Sequence, residues 1–182
     1  MGTKLHNFGF FPRSLFTQLC SMAYSKAITP EQALQKARHY CGYQERCHQE
    51  VKDKLYGFGL HKSQVEQLLA QLIEEDYLNE ERFAIQFAGG KFRMKNWGRN
   101  RIHNELSQRQ VSEYCIKKAM KEIPEDDYKA AITKIAATKW ESLESYGRLV
   151  QLKKTQDYLL YKGYEWPIIQ ETVKKLSGKD KG

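Results

Sequence analysis

The chain repeats one spacing of apolar residues three times, at intervals of about 50 residues. Each copy begins with a leucine, which is Leu55, Leu106 or Leu159. Four positions later comes a residue at which a helix is expected to stop, and these residues are Gly59, Gln110 and Gly163. Aliphatic residues follow six and then seven positions further on, at Val65, Ile116 and Ile169 and at Leu72, Ile123 and Leu176. Spacing that persists while side chains change indicates a repeated helical unit whose apolar faces stack.

Helix-start signals accompany the repeat. Thr29 precedes Pro30, the arrangement of an N-cap followed by proline in the first helical turn. Asn79 and Ser112 are predicted to cap two further helices. Pro124 stands before three acidic residues, which favour the positive end of a helix.

No segment has the alternation of a strand, so the sequence predicts an all-α fold. We expect three tandem three-helix units, forming an elongated, curved helical-repeat body. The predicted units span residues 29–77, 78–123 and 124–177. Residues 1–28, aromatic and without a helical period, are expected to be a poorly ordered extension, and residues 178–182 a polar tail. An extended surface of this kind favours binding to something large over catalysis.

The positive charge is concentrated in the second unit. The whole chain has a net charge of +8, and residues 89–121 alone carry nine basic and two acidic residues, a net charge of +7. A polyanion would be attracted there. The chain has no run of 18 apolar residues, so we expect no membrane span, and its four cysteines are too few for a disulfide scaffold. We therefore expect free thiols and a cytoplasmic location.

Two segments of the second unit resemble signatures of the RecX family. Residues 77–84 read Tyr-Leu-Asn-Glu-Glu-Arg-Phe-Ala, similar to the family's Tyr-Leu followed by Asp/Asn-Asp-x-Arg-Phe-Ala. Residues 98–106 match its Gly-x-x-Arg-Ile-x-x-Glu-Leu pattern, and residues 33–38 fit its first helix. The resemblance covers about residues 29–177 and implies a plan of three units with three helices each. Asp76 and Gln110 stand at helix stops where the family usually has glycine, which adopts positive φ more easily.

RecX proteins regulate the bacterial recombinase RecA, so the resemblance implies binding to RecA assembled on single-stranded DNA. The protein would lie in the filament groove and limit filament extension, ATP hydrolysis, strand exchange and coprotease activity. It would be a non-enzymatic modulator without a cofactor or metal, and we expect a monomer. Basic residues would face acidic groups of the filament, DNA phosphates, or both.

The candidate binding residues are basic and lie mainly in residues 89–121. In the central patch the cations alternate with Phe92, Met94 and Asn96, a mixture that suits phosphate contact and base stacking. The predicted patch consists of Lys91, Arg93, Lys95, Arg99, Arg101, Lys117, Lys118 and Lys121, with a secondary patch at Lys153 and Lys154. Alternatively, Phe92, Met94 and Trp97 close a core and the charges are only solvated.

Other functions are open at this stage. One alternative is a sequence-tolerant DNA-binding protein that uses its helix pairs like helix-turn-helix units, and another is a helical adaptor for an unrelated protein. The acidic residues of the first unit form either a second binding surface or complements to helix ends. A zinc site at His39, Cys41, Cys47 and His48 is disfavoured because no Cys-x-x-Cys pair exists, and nothing marks a nucleophilic site.

Overall fold

The structure, a computed structural model, describes residues 28–179. Over that range it contains nine helices and no strand. In chain order they are α1 (Pro30–Tyr43), α2 (His48–Tyr56), α3 (Lys62–Glu74), α4 (Glu80–Lys95), α5 (Arg99–Gln108), α6 (Glu113–Lys121), α7 (Glu125–Glu141), α8 (Arg148–Lys162) and α9 (Trp166–Lys179). Consecutive sets of three helices pack together. The predicted all-α repeat of three-helix units is therefore confirmed.

The two ends of the chain were also the subject of predictions. The predicted N-terminal extension lies outside the described residues except for Ile28, which packs against the core of the first unit. Helix α9 runs to Lys179, two residues into the predicted polar tail, and residues 180–182 lie outside the description. We keep residues 29–77, 78–123 and 124–177 as a working division of the chain.

The predicted caps are present and explain where three helices begin. Thr29 Oγ1 accepts a hydrogen bond from Gln32 N, and the Gln32 side chain accepts one from Thr29 N, both at 3.3 Å. Asn79 accepts from Arg82 N at 2.9 Å at the start of α4, and Ser112 accepts from Cys115 N at 3.4 Å at the start of α6. These caps satisfy backbone N–H groups that no intrahelical carbonyl reaches.

The repeated positions have the same structural role in each unit. Leu55, Leu106 and Leu159 are fully buried, and a buried leucine stabilises a fold by roughly 1.5–3 kcal/mol. Each helix-stop residue has positive φ, with 84° at Gly59, 59° at Gln110 and 89° at Gly163. Gln110 therefore adopts the left-handed conformation although it is not glycine, and Asp76 does the same with φ of 56°.

The buried residues form two cores rather than three. The first unit has its own core, which includes Leu55, Val65 and Leu72. The second and third units share a single core that runs from Phe83 to Val173. At its centre three rings lie in sequence, with centroids 5.9 Å apart for Phe92 and Tyr128 and 5.1 Å apart for Tyr128 and Tyr164. The second and third units are thus packed as one body.

Backbone contacts also join the second and third units. The N-terminus of α5 lies against the C-terminus of α8, where Gly98 N donates to Lys162 O at 2.8 Å and Asn100 N donates to Gly163 O at 3.0 Å. Free N–H groups at one helix start thereby pair with free carbonyls at another helix end. The approach is so close that a Cβ on Gly98 would lie 2.3 Å from the Gly163 carbonyl.

The first and second units meet through polar side chains and one thiol. Arg82 at the start of α4 donates to the carboxylate of Glu45 and, at 2.9 Å, to that of Asp76. Cys47, which precedes α2, is buried among the side chains of the second unit's core. The second and third units are instead joined by a shared apolar core.

Candidate functional site

The cations that the sequence places in the central basic patch lie on different sides of helix α4. The helix continues through Gly89 and Gly90 to Lys95, so the cations at its end follow the helical period of 100° per residue. Lys91 and Lys95 consequently lie on one side, and Arg93 lies about 160° away from Lys91. The Arg93 guanidinium folds back over Gly89. Alternation in the sequence therefore does not become a single mixed surface, and Phe92 is buried.

A different set of residues brings cations and rings together. Three rings and three cations alternate across the surface in the order Arg109, Phe87, Lys91, Trp97, Arg101 and Tyr161. The distances from each charged group to the neighbouring ring centroid are 4.9, 5.1, 5.2, 4.3 and 4.8 Å in that order. All lie within the range of cation–π attraction. We call these six residues the cation–aromatic row.

Four segments of the chain supply the row. Phe87 and Lys91 come from one face of α4, Trp97 from the link to α5, Arg101 from α5 and Arg109 from the C-cap of α5. Tyr161 comes from the last turn of α8 in the third unit, and its carbonyl accepts a hydrogen bond from Arg101 Nη1 at 3.1 Å. The backbone contact of Gly98 with the end of α8 fixes the third unit's part of the row.

Two of the three cations in the row have no acidic partner. Arg109 pairs with Glu105 at 2.7 Å, whereas Lys91 and Arg101 have no carboxylate within 4 Å among residues 28–179. Tyr161 is 69% exposed at one end of the row. Phe87 and Trp97 are partly buried. Uncompensated cations between rings that are at least partly exposed match the two parts of a single nucleic-acid strand, because phosphates pair with the cations and bases stack on the rings.

Arg99 is partly exposed but paired within the chain, and it is not a member of the row. Its guanidinium pairs with Glu125 at 2.7 Å and with Glu165 at 3.9 Å, and it lies 4.2 Å from the centroid of the Tyr128 ring. The Tyr128 hydroxyl donates to Glu165 at 2.6 Å and accepts from Arg99 N. Burial, followed by the contact with Glu165, raises the pKa of Tyr128 far above its ordinary value. Arg99 thus holds the second and third units together.

The remaining predicted cations lie on α6 and α8. Lys118 pairs with Glu81 at 2.9 Å, and its neighbours Tyr114 and Glu81 raise its pKa. Lys117 and Lys121 are exposed on the same face of α6, four residues apart, with no carboxylate partner among the described residues. On α8, Lys153 is exposed and Lys154 lies 4.0 Å from the centroid of the Tyr146 ring. None of these five lysines belongs to the row.

Comparison with known proteins identifies the family. Residues 79–120 match the family model described as RecX, second three-helix domain. The regulatory protein RecX of Chlorobium limicola is 30% identical over 129 residues, which are 70% of this chain and 78% of that protein. The chain belongs to the RecX family. The regulatory protein RecX of Bacillus cytotoxicus is 22% identical over 87% of this chain, which spans only 58% of that longer relative.

Solved RecX structures share the fold. The crystal structure of RecX from Lactobacillus salivarius superposes with a TM-score of 0.74 at 20% identity, covering 81% of this chain and 96% of that one. A second crystal structure of regulatory protein RecX also gives 0.74, at 19% identity, covering 96% of this chain and 80% of the other. The expected RecX resemblance and its helix plan are therefore confirmed.

The sequence reasoning gave three members of the row no binding role. Phe87 was expected to face inward, Trp97 was expected to break the chain or close a core, and Tyr161 was not considered. Phe87 and Trp97 are in fact partly buried against the shared core. Tyr161 lies two positions after the buried Leu159, and a residue two positions further along a helix points to nearly the opposite side. The exposure of Tyr161 was therefore predictable from the repeat. Its contact with Arg101 was not predictable, because the two residues belong to different units.

The cysteine and histidine motif of the first unit is divided between the two cores. Cys41 is buried in the first core and Cys47 in the shared core, while His39 is exposed. Burial is the main cause that raises the pKa of both thiols, which therefore stay neutral at pH 7. Within the described range no group of three His, Cys, Asp or Glu side chains is arranged to hold a metal ion, and no helix is long and apolar enough to cross a membrane.

Proposed function

We propose that this protein is a non-enzymatic modulator of RecA, binding the RecA filament on single-stranded DNA and limiting its extension. Reduced ATP hydrolysis, strand exchange and coprotease activity would follow from a shorter or more rigid filament. Membership of the RecX family supports the regulatory part of this proposal. The observation that supports the nucleoprotein part is the cation–aromatic row, which crosses from the second unit to the third.

The row suits a filament that combines protein acids with an exposed DNA strand. Lys91 and Arg101 have no acidic partner among the described residues, so neither has to break an ion pair within its own chain before binding. The shared core and the backbone contact at Gly98 hold the row in one arrangement. A surface fixed before binding loses little conformational entropy when it binds. Several units contacting successive protomers would add to affinity through effective concentration.

The second candidate is direct, sequence-tolerant binding to DNA without RecA. The rings of the row favour it, because every base has a face that can stack on an aromatic side chain. Within the described residues, the exposed lysines of α6 add a second set of cations, Lys117 and Lys121, that a longer strand would reach. Under this alternative the affinity for bare DNA falls steeply as salt increases, because binding releases counterions from the phosphates.

The test is ATP hydrolysis by RecA on single-stranded DNA, titrated with this protein below stoichiometry, beside a binding assay on DNA alone. Strong inhibition at a low ratio with weak binding to bare DNA supports filament modulation. No effect on RecA together with tight, salt-sensitive DNA binding assigns the protein to the second candidate. The double variant Lys91→Glu/Arg101→Glu is expected to lose the dominant activity in either case.

A matched control separates the row from general charge effects. Lys134→Glu/Lys174→Glu changes the net charge by the same amount at two exposed lysines outside the row, neither with a carboxylate partner in residues 28–179. It should inhibit RecA as the unmodified protein does. Equal losses in both double variants would mean that net charge, and not the row, carries the binding.

A further inference from the structure

A cleft of about 350 Å³ opens between the first and second units, at the Arg109 end of the row. One wall comes from the segment before α2, with Glu45 and Arg46, and from Glu50 in the first turn of α2. The other wall comes from α4 and from Arg109. Three members of the row, Phe87, Lys91 and Arg109, also line the cleft. The cleft and the row are therefore one continuous surface.

The charges around the cleft do not balance. Its two acids accept hydrogen bonds, Glu45 Oε1 from Arg82 and Glu50 from Cys47 N at 3.4 Å, while Glu45 Oε2 is buried without a partner in the described residues. Three of its cations have no carboxylate within 4 Å among the residues that the structure describes, and they are Arg46, Lys91 and Lys95. Arg46 Nε is moreover buried without a hydrogen-bond partner in that part of the chain. The cleft therefore has an excess of cationic groups available to an anion.

Gly89 and Gly90, in the middle of α4, differ in what a side chain at each position would meet. A Cβ on Gly89 would lie 2.8 Å from the Arg93 guanidinium, so that glycine makes room for a side chain of the protein. A Cβ on Gly90 would meet nothing within 4 Å, and Gly90 lines the cleft. Glycine is unfavourable inside a helix because it loses more backbone freedom than other residues. Gly90 thus keeps open a space that no described protein atom fills.

We propose that this cleft takes one nucleotide of the single strand that lies along the row. The phosphate pairs with Lys91, Lys95 and Arg46, and the base lies over Gly90 against the ring of Phe87. This inference rests on the proposed function only for the presence of a single strand at the row. A nucleotide fits better than an acidic peptide, because the row leading into the cleft alternates rings with cations. Bases stack on such rings, whereas peptide carboxylates do not.

The test compares two DNA strands and three proteins. Affinities are measured for a labelled oligothymidylate and for a strand of equal length carrying abasic residues, with the unmodified protein, Gly90→Leu and the control Gly178→Leu. The substitution at Gly90 extends into the cleft from a position whose Cβ would meet nothing within 4 Å, and it removes a helix-interior glycine, so we expect folding to be retained. Gly178 is another helical glycine with open space around its Cβ position, and it lies in α9, outside the cleft.

The unmodified protein and Gly178→Leu should prefer the base-bearing strand by about tenfold, the factor that one moderate base–ring stack provides. Gly90→Leu should lose that preference and bind both strands alike. The proposal is overturned if the unmodified protein binds both strands equally or if Gly90→Leu keeps the preference. It is also overturned if polyglutamate binds in the cleft, blocked by Gly90→Leu, while no base preference is seen.

The same variants keep this proposal separate from the proposed function. If Gly90→Leu inhibits RecA as well as the unmodified protein and still prefers bases, the cleft assignment fails and filament modulation stands. If the unmodified protein leaves RecA unaffected but shows a base preference that Gly90→Leu abolishes, filament modulation fails and the cleft assignment stands.

Discussion

Gly98 and Gly163 meet backbone to backbone where the second and third units join. Gly98 N donates to the carbonyl of Lys162, and a Cβ on Gly98 would lie 2.3 Å from the carbonyl carbon and oxygen of Gly163. No flexible side chain is available to move aside at this contact. The two units can therefore approach this closely only while both positions lack side chains.

We predict that Gly98→Ala destabilises the protein by about 1–3 kcal/mol, the usual cost of overpacking, because backbone must shift to admit the methyl group. Gly147→Ala is the control, since a Cβ there meets nothing within 4 Å. Urea unfolding followed by circular dichroism measures both variants. A free energy of unfolding equal to that of Gly147→Ala would show that the joint is less rigid than its geometry indicates.

The repeated leucines provide a test of the two-core arrangement. Leu55→Ala, Leu106→Ala and Leu159→Ala should each lower the free energy of unfolding by roughly 2–5 kcal/mol, because each side chain is fully buried. Hydrogen exchange should separate them by location. Leu55→Ala should expose amides mainly in residues 30–74, whereas the other two should expose amides across residues 80–179. A loss below about 0.5 kcal/mol would contradict burial at that position.

The two left-handed residues that replace glycine should respond differently to glycine substitution. Gln110→Gly is expected to stabilise the protein by about 0.5–1 kcal/mol, because φ of 59° is strained for glutamine and its side chain is exposed. Asp76→Gly should give no gain, because the Asp76 carboxylate accepts hydrogen bonds from Asn79 and Arg82. Thermal unfolding compares the two. Equal stabilisation by both would mean that the contacts of Asp76 contribute nothing.

Reversing the charge of Arg99 and that of Arg101 should have opposite consequences. Arg99→Glu should lower the free energy of unfolding by at least about 1.5 kcal/mol, because it replaces a charged hydrogen bond to Glu125 with repulsion from Glu125 and Glu165. Arg101→Glu, which faces no carboxylate within 4 Å in residues 28–179, should leave the stability close to that of the unmodified protein and weaken binding to the RecA filament. Urea unfolding and the RecA ATPase assay, run on both variants, give the comparison. If Arg99→Glu loses binding to the filament while its stability is unchanged, Arg99 is a binding residue.

Acid should destabilise the joint between α1 and α3 through one ion pair. Arg38 donates to Glu75 at 2.7 Å and holds the pKa of that carboxyl below its ordinary value. A carboxyl whose pKa is lower in the folded protein adds stability above its unfolded pKa and loses it as pH falls through the folded value. The urea concentration at the unfolding midpoint should therefore decrease when the pH is lowered below about 4. The decrease should be smaller in Arg38→Gln. An identical pH dependence in both proteins would assign the acid effect to other carboxylates.

Much of the fold was predictable because its signals are local. The caps at Thr29, Asn79 and Ser112 were predicted from a few neighbouring residues and are present. The inward leucines followed from the helical period, which fixes the direction of a side chain relative to residues three or four positions away. Gly89 and Gly90 lie inside α4 although glycine disfavours a helix interior. Packing along the rest of that helix outweighs the preference of two glycines against it.

The sequence by itself determined the helices, the three-fold repeat, the family and the concentration of positive charge in the second unit. Only the tertiary structure decided which cations are available for binding. Arg99 and Arg101 stand two residues apart and looked equivalent, yet one faces Glu125 and the other faces Trp97 and Tyr161. That difference arises where the third unit packs on the second, a contact between residues distant in the chain. Local spacing carries no information about such a contact, because it depends on how whole helices pack.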